Sequence, residues 1–453
     1  MSSFLFTIVS FVVALGVLIT VHEFGHFWVA RKLGVKVLKF SVGFGKALWS
    51  RTSPVDGTEY VVAAIPLGGY VTMLDEREKE VPPEELAYAF NRQSLWVRTA
   101  IVAAGPIFNF IFAIIAFWIV FMAGETGLRP VVAEVESGSI AHSAGFEVAD
   151  RILSVGKRET IAWEHVSFAV LAASIDKEDM QVRVQDARGN ERIRMLQFGS
   201  LSGFEAERDP MTAIGLSPQR PIIPPIIGGL IAGEAAAQAG LQVGDRIVSV
   251  DGEQVSNWID LVRYIQNRPA TVIAFTVDRA GSEVEIPVRT GAKQEDAAVG
   301  YIGAQVENYD HLLDEYRVEI HLGPLDALGA ALEKTGDLSW LILKMIGQML
   351  TGEASVKNIG GPVSIAQAAG ETASYGLIYF LRFLAGISIS LGVLNLLPIP
   401  ILDGGHLLFF AIEAIKGSPP SERLQMEGQR IGMLLLMMLM GLAFYVDFTR
   451  LLG

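Results

Sequence analysis

The residues from Phe4 to Val21 form an almost unbroken apolar run that continues more weakly to Ala30. A bilayer core about 30 Å thick is crossed by roughly 20 helical residues, so the run is long enough to span. No Lys or Arg precedes Phe4, so the basic start of a cleaved leader is missing and the segment is expected to be retained. Residues 101–123, 377–402 and the shorter 431–446 repeat the pattern, giving four expected spans. Composition agrees: 51% of residues are hydrophobic, only 19% are charged, and the mean hydropathy is +0.39. Soluble domains run near a quarter charged, so a wholly soluble protein is not expected. The formal net charge of −13 argues against a nucleic-acid partner.

Basic residues beside short loops set the expected orientation. Arg31, Lys32, Lys36 and Lys39 follow the first run. Arg92 and Arg98 precede the second, and Lys416, Arg423 and Arg430 separate the third from the fourth. These loops are expected in the cytoplasm. Both termini and the long region between runs two and three are then expected outside, which in a bacterium is the periplasm.

That long region, residues 125–320, has soluble composition and contains a repeat. Ala144-Gly145-Phe146 and Asp150-Arg151-Ile152 recur as Ala239-Gly240-Leu241 and Asp245-Arg246-Ile247, and Trp163 recurs as Trp258, all at an offset of 95 residues. One constant long offset means two copies of one small domain rather than a short-period solenoid. Leu241 to Ile247 resembles the Ala-Gly-Leu-x-x-Gly-Asp-Arg-Ile signature of bacterial PDZ domains. The first copy carries Ala149 where that pattern has Gly. The resemblance implies α+β modules that bind extended peptide by adding a strand to a sheet edge. A spacer with a closed groove is the alternative.

Between the first two runs, residues 35–73 alternate loosely, with Asp56-Gly57 between two β-rich stretches, a hairpin signal. Such a hairpin either lies in the cytoplasm or dips into the bilayer where protein covers its backbone.

The chemistry sits where the first run ends, in Val21-His22-Glu23-Phe24-Gly25-His26. This is H-E-x-x-H. Residues four apart share a helical face, so His22 and His26 can grip one metal, and Glu23 can take a proton from a reacting water. The chain has no cysteine, so thiolate catalysis, disulfides and Cys-ligated metals are excluded. Imidazole and carboxylate ligands suit one Zn2+ in an open catalytic site, which needs a third protein ligand. Histidines and acidic residues near the spans are few. Asp403, followed by Gly404 and Gly405, is the natural choice, with His406 the runner-up. Pro398 and Pro400 break the third span just before it and free backbone groups there. Asn395 can donate an amide N–H to a developing oxyanion or to substrate backbone, or bond between helices.

Jointly, His22 through His26, the paired Asp-Arg-Ile repeats, and Asn395 through Gly405 resemble the site-2 protease family of intramembrane zinc metalloproteases. The two tandem PDZ copies resemble its Gram-negative members in particular. The resemblance runs from end to end and implies zinc held by His22, His26 and Asp403, with Glu23 catalytic. It maps the family's Asn-x-x-Pro-x-Pro-x-Leu-Asp-Gly element to Asn395, Pro398, Pro400 and Asp403. It maps a membrane-reentrant, substrate-handling β loop to the stretch carrying Gly43-Phe44-Gly45 and Gly68-Gly69-Tyr70, and a Gly-x-x-x-Asn element to Gly105 and Asn109, with Asn109 an expected substrate contact. The implied substrates are single-span membrane proteins already shortened by another protease, such as an anti-sigma factor, and remnant signal peptides.

The expected fold is thus a multi-pass α-helical membrane protein with four transmembrane helices, a membrane-reentrant β-hairpin region and two inserted α+β PDZ domains. The expected division is residues 1–31, first span with the H-E-x-x-H motif; 32–98, cytoplasmic or reentrant β region; 99–124, second span; 125–220 and 221–312, the two periplasmic copies. Then follow 313–375, an interfacial amphipathic helix and linker; 376–406, third span with Leu-Asp-Gly; 407–429, cytoplasmic loop; and 430–453, fourth span. The expected location is a bacterial inner membrane, in contact with lipid. Two other functions fit parts of the pattern: a membrane-anchored PDZ scaffold without activity, and a metal transporter using the His pair as a transit site.

Overall fold

A computed structural model describes residues 3–77, 80–176, 178–200, 210–292, 299–352 and 360–452. They fall into two compact units: one runs up to Glu125 and resumes at Ile320, and the other comprises the described residues between.

The first unit is helical. Its helices are α1 (Ser3–Lys32), α2 (Leu95–Ala123), α3 (Pro324–Thr351), α4 (Pro362–Tyr375), α5 (Leu377–Leu396), α6 (Asp403–Lys416) and α7 (Glu422–Leu452). Among the described residues four helices are long and apolar enough to cross a membrane: α1, α2, α5 and α7. The protein is therefore a multi-pass helical membrane protein. Helix α2 is its spine, packing against α1, α3, α5 and α6. Ala113 and Ala116 on α2, Ala331 on α3 and Ala385 on α5 are buried together around Phe117 and Ile389. Lipid offers no hydrophobic drive between helices, and such small residues allow the close van der Waals packing that replaces it.

Several boundaries differ from the hydropathy reading. The third span was expected to reach Leu402, but α5 ends at Leu396, with Leu397 extended at ψ 145. Leu397 precedes Pro398, and the proline ring disfavours helical backbone in the residue before it. Residues 407–416, expected as loop, belong to α6. The fourth span was expected from residue 430 or 431, but α7 begins at Glu422, where its polar first turns hide the helix from hydropathy. The second helix likewise starts at Leu95, where the Ser94 side chain accepts from the Val97 N–H. The segment expected as one interfacial helix and linker holds two helices. Of these, α3 buries Ala327, Ala331 and Thr335, with Ala331, Leu338 and Ile342 meeting α2 and α5. Asp447 on α7 is 2% exposed and accepts from the Gly361 and Val363 N–H groups at 3.1 and 2.8 Å, capping α4 across the bundle.

The expected hairpin is present as β1 (Val37–Thr52) and β2 (Glu59–Met73), but its register is more involved. Residues 37–42 pair on one side with 69–73 and on the other with 59–62, and residues 47–52 pair with 59–63. Both strands must double back, so two long strands make a ladder of four segments in the order 69–73, 37–42, 59–62, 47–52. Gly43 and Gly45, at φ 97 and 86, sit where β1 reverses. The ladder packs on α1 through Phe27, Phe40 and Tyr60.

The second unit contains two sheets of the same topology. In one, Arg151–Val155 lies between Arg158–Glu159 and Met180–Gln185, which pairs with Glu191–Leu196. In the other, Arg246–Val250 lies between Glu253–Gln254 and Val272–Arg279, which pairs with Ser282–Arg289. Helices Trp163–Asp176 and Trp258–Gln266 occupy matching positions. Asp150 and Asp245 are each 1% exposed and accept from a backbone N–H three residues back, at Glu147 and Gln242. Each also pairs with an arginine, Arg194 at 3.2 Å and Arg279 at 2.7 Å. The Arg279 hydrogen bond, aided by the Gln242 N–H, holds the Asp245 carboxyl below the usual carboxylate range.

The turn before each aspartate differs. Gly244 has φ 92, and Ala149 holds a similar left-handed backbone at φ 71. A Cβ in that region costs roughly 1–2 kcal/mol, partly offset in glycine by chain entropy. Ala149→Gly is expected to stabilise the second unit by about 0.5–1 kcal/mol in denaturant unfolding. Asp245, with its depressed pKa, contributes stability that is present above the ordinary carboxylate range near pH 4 and lost as pH falls through the lower folded value. Arg279→Ala is expected to flatten that acid limb in unfolding measured against pH.

Candidate metal centre

Helix α1 carries His22 and His26 one turn apart, with their Nε2 atoms 3.2 Å from each other. Asp403, the first residue of α6, brings Oδ2 to 3.3 Å from His22 Nε2 and 3.5 Å from His26 Nε2. The three side chains are 12–18% exposed. Among the described residues they are the one group of three His or acidic residues whose donor atoms converge, all within 4.8 Å. His406, one turn further along α6, is not part of it.

The donor set fits a zinc ion. Asp403 Oδ2 is buried and, apart from the two imidazole Nε2 atoms 3.3 and 3.5 Å away, has no hydrogen-bond partner among the described residues, and a buried carboxylate oxygen needs a cation or a donor. Two imidazole nitrogens and one carboxylate oxygen make three ligands, which leaves the fourth tetrahedral position open for chemistry. His26 Nδ1 lies 2.8 Å from the Ile101 carbonyl oxygen. A carbonyl only accepts, so Nδ1 carries the proton and Nε2 keeps its lone pair for metal.

Close packing of α1 on α2 makes this geometry possible. A Cβ added to Gly105 would run into the His26 ring and sit 2.8 Å from His22 Cε1, so bare backbone of α2 backs both rings. A Cβ on Gly25 would strike the Ala104 carbonyl in the same seam. Helix α6 is fixed to the same spine: Arg98 on α2 donates to Glu413 Oε1 at 2.6 Å and Oε2 at 3.2 Å, a two-pronged pair about 15% exposed. The turn before α6 folds tightly, because Gly404 and Gly405 lie against the Leu397 and Ile399 carbonyls with no room for a Cβ. Those glycines seat Asp403 beside the prolines that end α5.

Glu23 meets the β ladder. A Cβ on Gly69 would come within 2.8 Å of Glu23 Cγ, so the backbone of β2 passes against this side chain. Beyond it, Phe44 and Tyr70 stack at 6.1 Å and 8°, with Gly68 under the Phe44 ring. Phe44 and Tyr70 are 43% and 37% exposed. Gly43 lies with its Cα face against the Ala63 and Ile65 carbonyls. Asn395 is half-buried on the last turn of α5, and Pro398 and Pro400 lie in the bend that follows.

One expected substrate contact, Asn109, is buried beside an imidazole of the metal centre. Asn109 has no exposed surface, and its Nδ2 sits 3.2 Å from His22 Nδ1. Two features had no sequence signal: the Ile101 carbonyl, which any residue type supplies, and the approach of Gly69 to Glu23, which depends on the doubled register.

A family model described as peptidase family M50 matches residues 10–439. The chain belongs to peptidase family M50. It is 46% identical to the regulator of sigma-E protease of Escherichia coli (strain K12), with both chains covered in full. A Vibrio cholerae protein named as a zinc metalloprotease is 44% identical over the full length of both. The regulator of sigma E protease of Haemophilus influenzae is 40% identical over 99% of this chain and all of its own. As an M50 peptidase, of the site-2 protease type, the chain is an intramembrane zinc metalloprotease, and zinc is its cofactor. Neither an inactive scaffold nor a transporter accounts for this membership.

Gly105→Ala tests the seam. Its Cβ displaces both rings, and ligand geometry tolerates little, so zinc affinity is expected to fall by about 10- to 100-fold. Metal content of the purified M50 protein after dialysis against a weak chelator is the measurement.

Proposed function

We propose that this M50 peptidase cuts single-span membrane proteins, already shortened by another protease, within or beside their membrane span. One observation supports this above the others: the ligand atoms of His22 and His26 lie on a helix apolar enough to cross a bilayer, next to Glu23 and a bare stretch of β backbone at Gly69. Substrates proposed from the sigma-E relatives are a membrane-bound anti-sigma factor and remnant signal peptides.

In this reading His22, His26 and Asp403 hold zinc, and His406 stays outside the ligand set. Zinc, when bound, supplies Lewis-acid polarisation of the scissile carbonyl. Glu23 takes a proton from the attacking water and returns it to the leaving amine. A substrate helix shields its peptide bonds within its own turns, so it must first unwind. Unwound backbone needs partners at membrane depth. Among the described residues, segment 69–73 has a ladder neighbour on one side only, so an extended peptide laid beside it gains backbone hydrogen bonds next to Glu23. Phe44 and Tyr70 then offer aromatic surface to its side chains, Asn395 offers an amide donor, and Pro398 and Pro400 hold open the bend. We read this ladder as a membrane-reentrant element.

We read the two repeats of the second unit as PDZ domains that screen substrates by size or bind peptide. The second copy has a cavity of about 380 Å3 between helix Trp258–Gln266 and strand Ala304–Val306, lined by Trp258, Leu261, Ile265, Tyr301 and Ile302. In the first copy the segment just before the corresponding strand, Leu216–Pro218, carries Met211 and Ile214, both fully buried. We read the basic loops as cytoplasmic, with the second unit and both termini in the periplasm of a bacterium and the protein in its inner membrane.

Glu23→Gln is the test. Zinc content is expected to stay at the wild-type level, while cleavage of a reconstituted single-span substrate drops by about 10²- to 10⁴-fold. Undiminished cleavage sinks the assignment. Asp403→Ala is expected to lose zinc from the purified protein, and full occupancy would move the third ligand to His406.

A further inference from the structure

We propose that Asn109 is a positioning residue for the metal rather than a substrate contact: its side-chain oxygen accepts the Nδ1–H of His22 and holds that ring with the Nε2 lone pair facing the zinc position. The proposal rests on reading His22, His26 and Asp403 as the ligands.

Asn109 lies one turn beyond Gly105 on α2 and is 0% exposed, so no peptide reaches it. Its backbone is pinned, because the fully buried Ser388 of α5 donates its hydroxyl to the Asn109 carbonyl at 2.9 Å. The amide is therefore held at the level of the His22 ring. Its Nδ2 faces His22 Nδ1 at 3.2 Å, while its Oδ1 is buried with no hydrogen-bond partner among the described residues.

A neutral imidazole carries one N–H. His22 Nε2 is the nitrogen that faces His26 Nε2 and Asp403 Oδ2, so with a cation there it must be a bare lone pair and the proton must sit on Nδ1. An Nδ1–H against Nδ2 would set donor against donor. A half-turn of the amide exchanges the two atoms without moving the backbone and puts Oδ1 in the accepting place. Either orientation leaves one amide atom without a partner, so the metal decides between them. His26 solves the same problem with the Ile101 carbonyl. Two acceptors on one face of α2 therefore fix two ligand rings, one through backbone and one through a side chain. Asn109 is the one that substitution can remove.

The test uses full-length, purified protein and measures zinc affinity by competition with a chromophoric chelator, separately from cleavage. Asn109→Leu removes the acceptor at similar volume and is expected to weaken zinc binding by about 10- to 100-fold. Asn109→Asp keeps an accepting oxygen, in the manner of carboxylate–histidine–zinc triads, and is expected to stay within about threefold of wild type. With zinc saturating, KM is expected to be unchanged in both. Wild-type affinity in Asn109→Leu, or equal weakening in both variants, overturns the proposal. So does a raised KM at unchanged zinc affinity, which would return Asn109 to substrate binding. If Asn109→Leu is not recovered folded, Asn109→Ala carries the same expectation and the same overturning results. His22→Ala should lose zinc in the same assay. Retention there would sink the ligand assignment itself rather than the role of Asn109.

Discussion

The contact between α1 and α2 at Gly25 and Gly105 is what the rest of the site depends on. Two imidazole rings need room and fixed orientation in a seam where helices normally interlock side chains. Glycine on each side removes the obstacle, and α2 then offers its own carbonyl and amide to the rings. The arrangement exchanges bulk packing, which lipid does not drive, for backbone approach, which it permits. Alanines further along α2 continue the same strategy toward α3 and α5.

Much of this is legible in the sequence, for identifiable reasons. The four-residue spacing of His22 and His26 dictates a shared helical face. Asp403 stands out because acidic residues near apolar runs are scarce and because two glycines follow it. The repeat is visible because its offset is constant from Gly145 to Trp163. Its ion pairs are not, since Arg194 and Arg279 are separated by 85 residues rather than 95, and loop lengths between the copies shift the partner out of register.

Other features require three dimensions. Hydropathy averages over a window, so it ran the third span through Pro398 and missed the polar start of α7. Alternation in residues 35–73 marks strands without stating which side pairs with which, and only the reversal at Gly43 and Gly45 makes four segments of two. Asn109 reads as a polar residue in a span, and polar residues there are usually functional. Whether it faces substrate or ligand depends on the rotation of α2 against α1, which no local pattern encodes.

The proposed ligands come from opposite ends of the chain: two from the first helix and one from the helix that precedes the last. A zinc ion held by them is thus also a cross-link between elements that the sequence keeps far apart. Any ligand that binds only the assembled form stabilises that form by mass action, and structural metals do so strongly. On that ligand set, the ion that performs the chemistry would also act as a clasp on the bundle, and metal supply would set how firmly its two ends are joined.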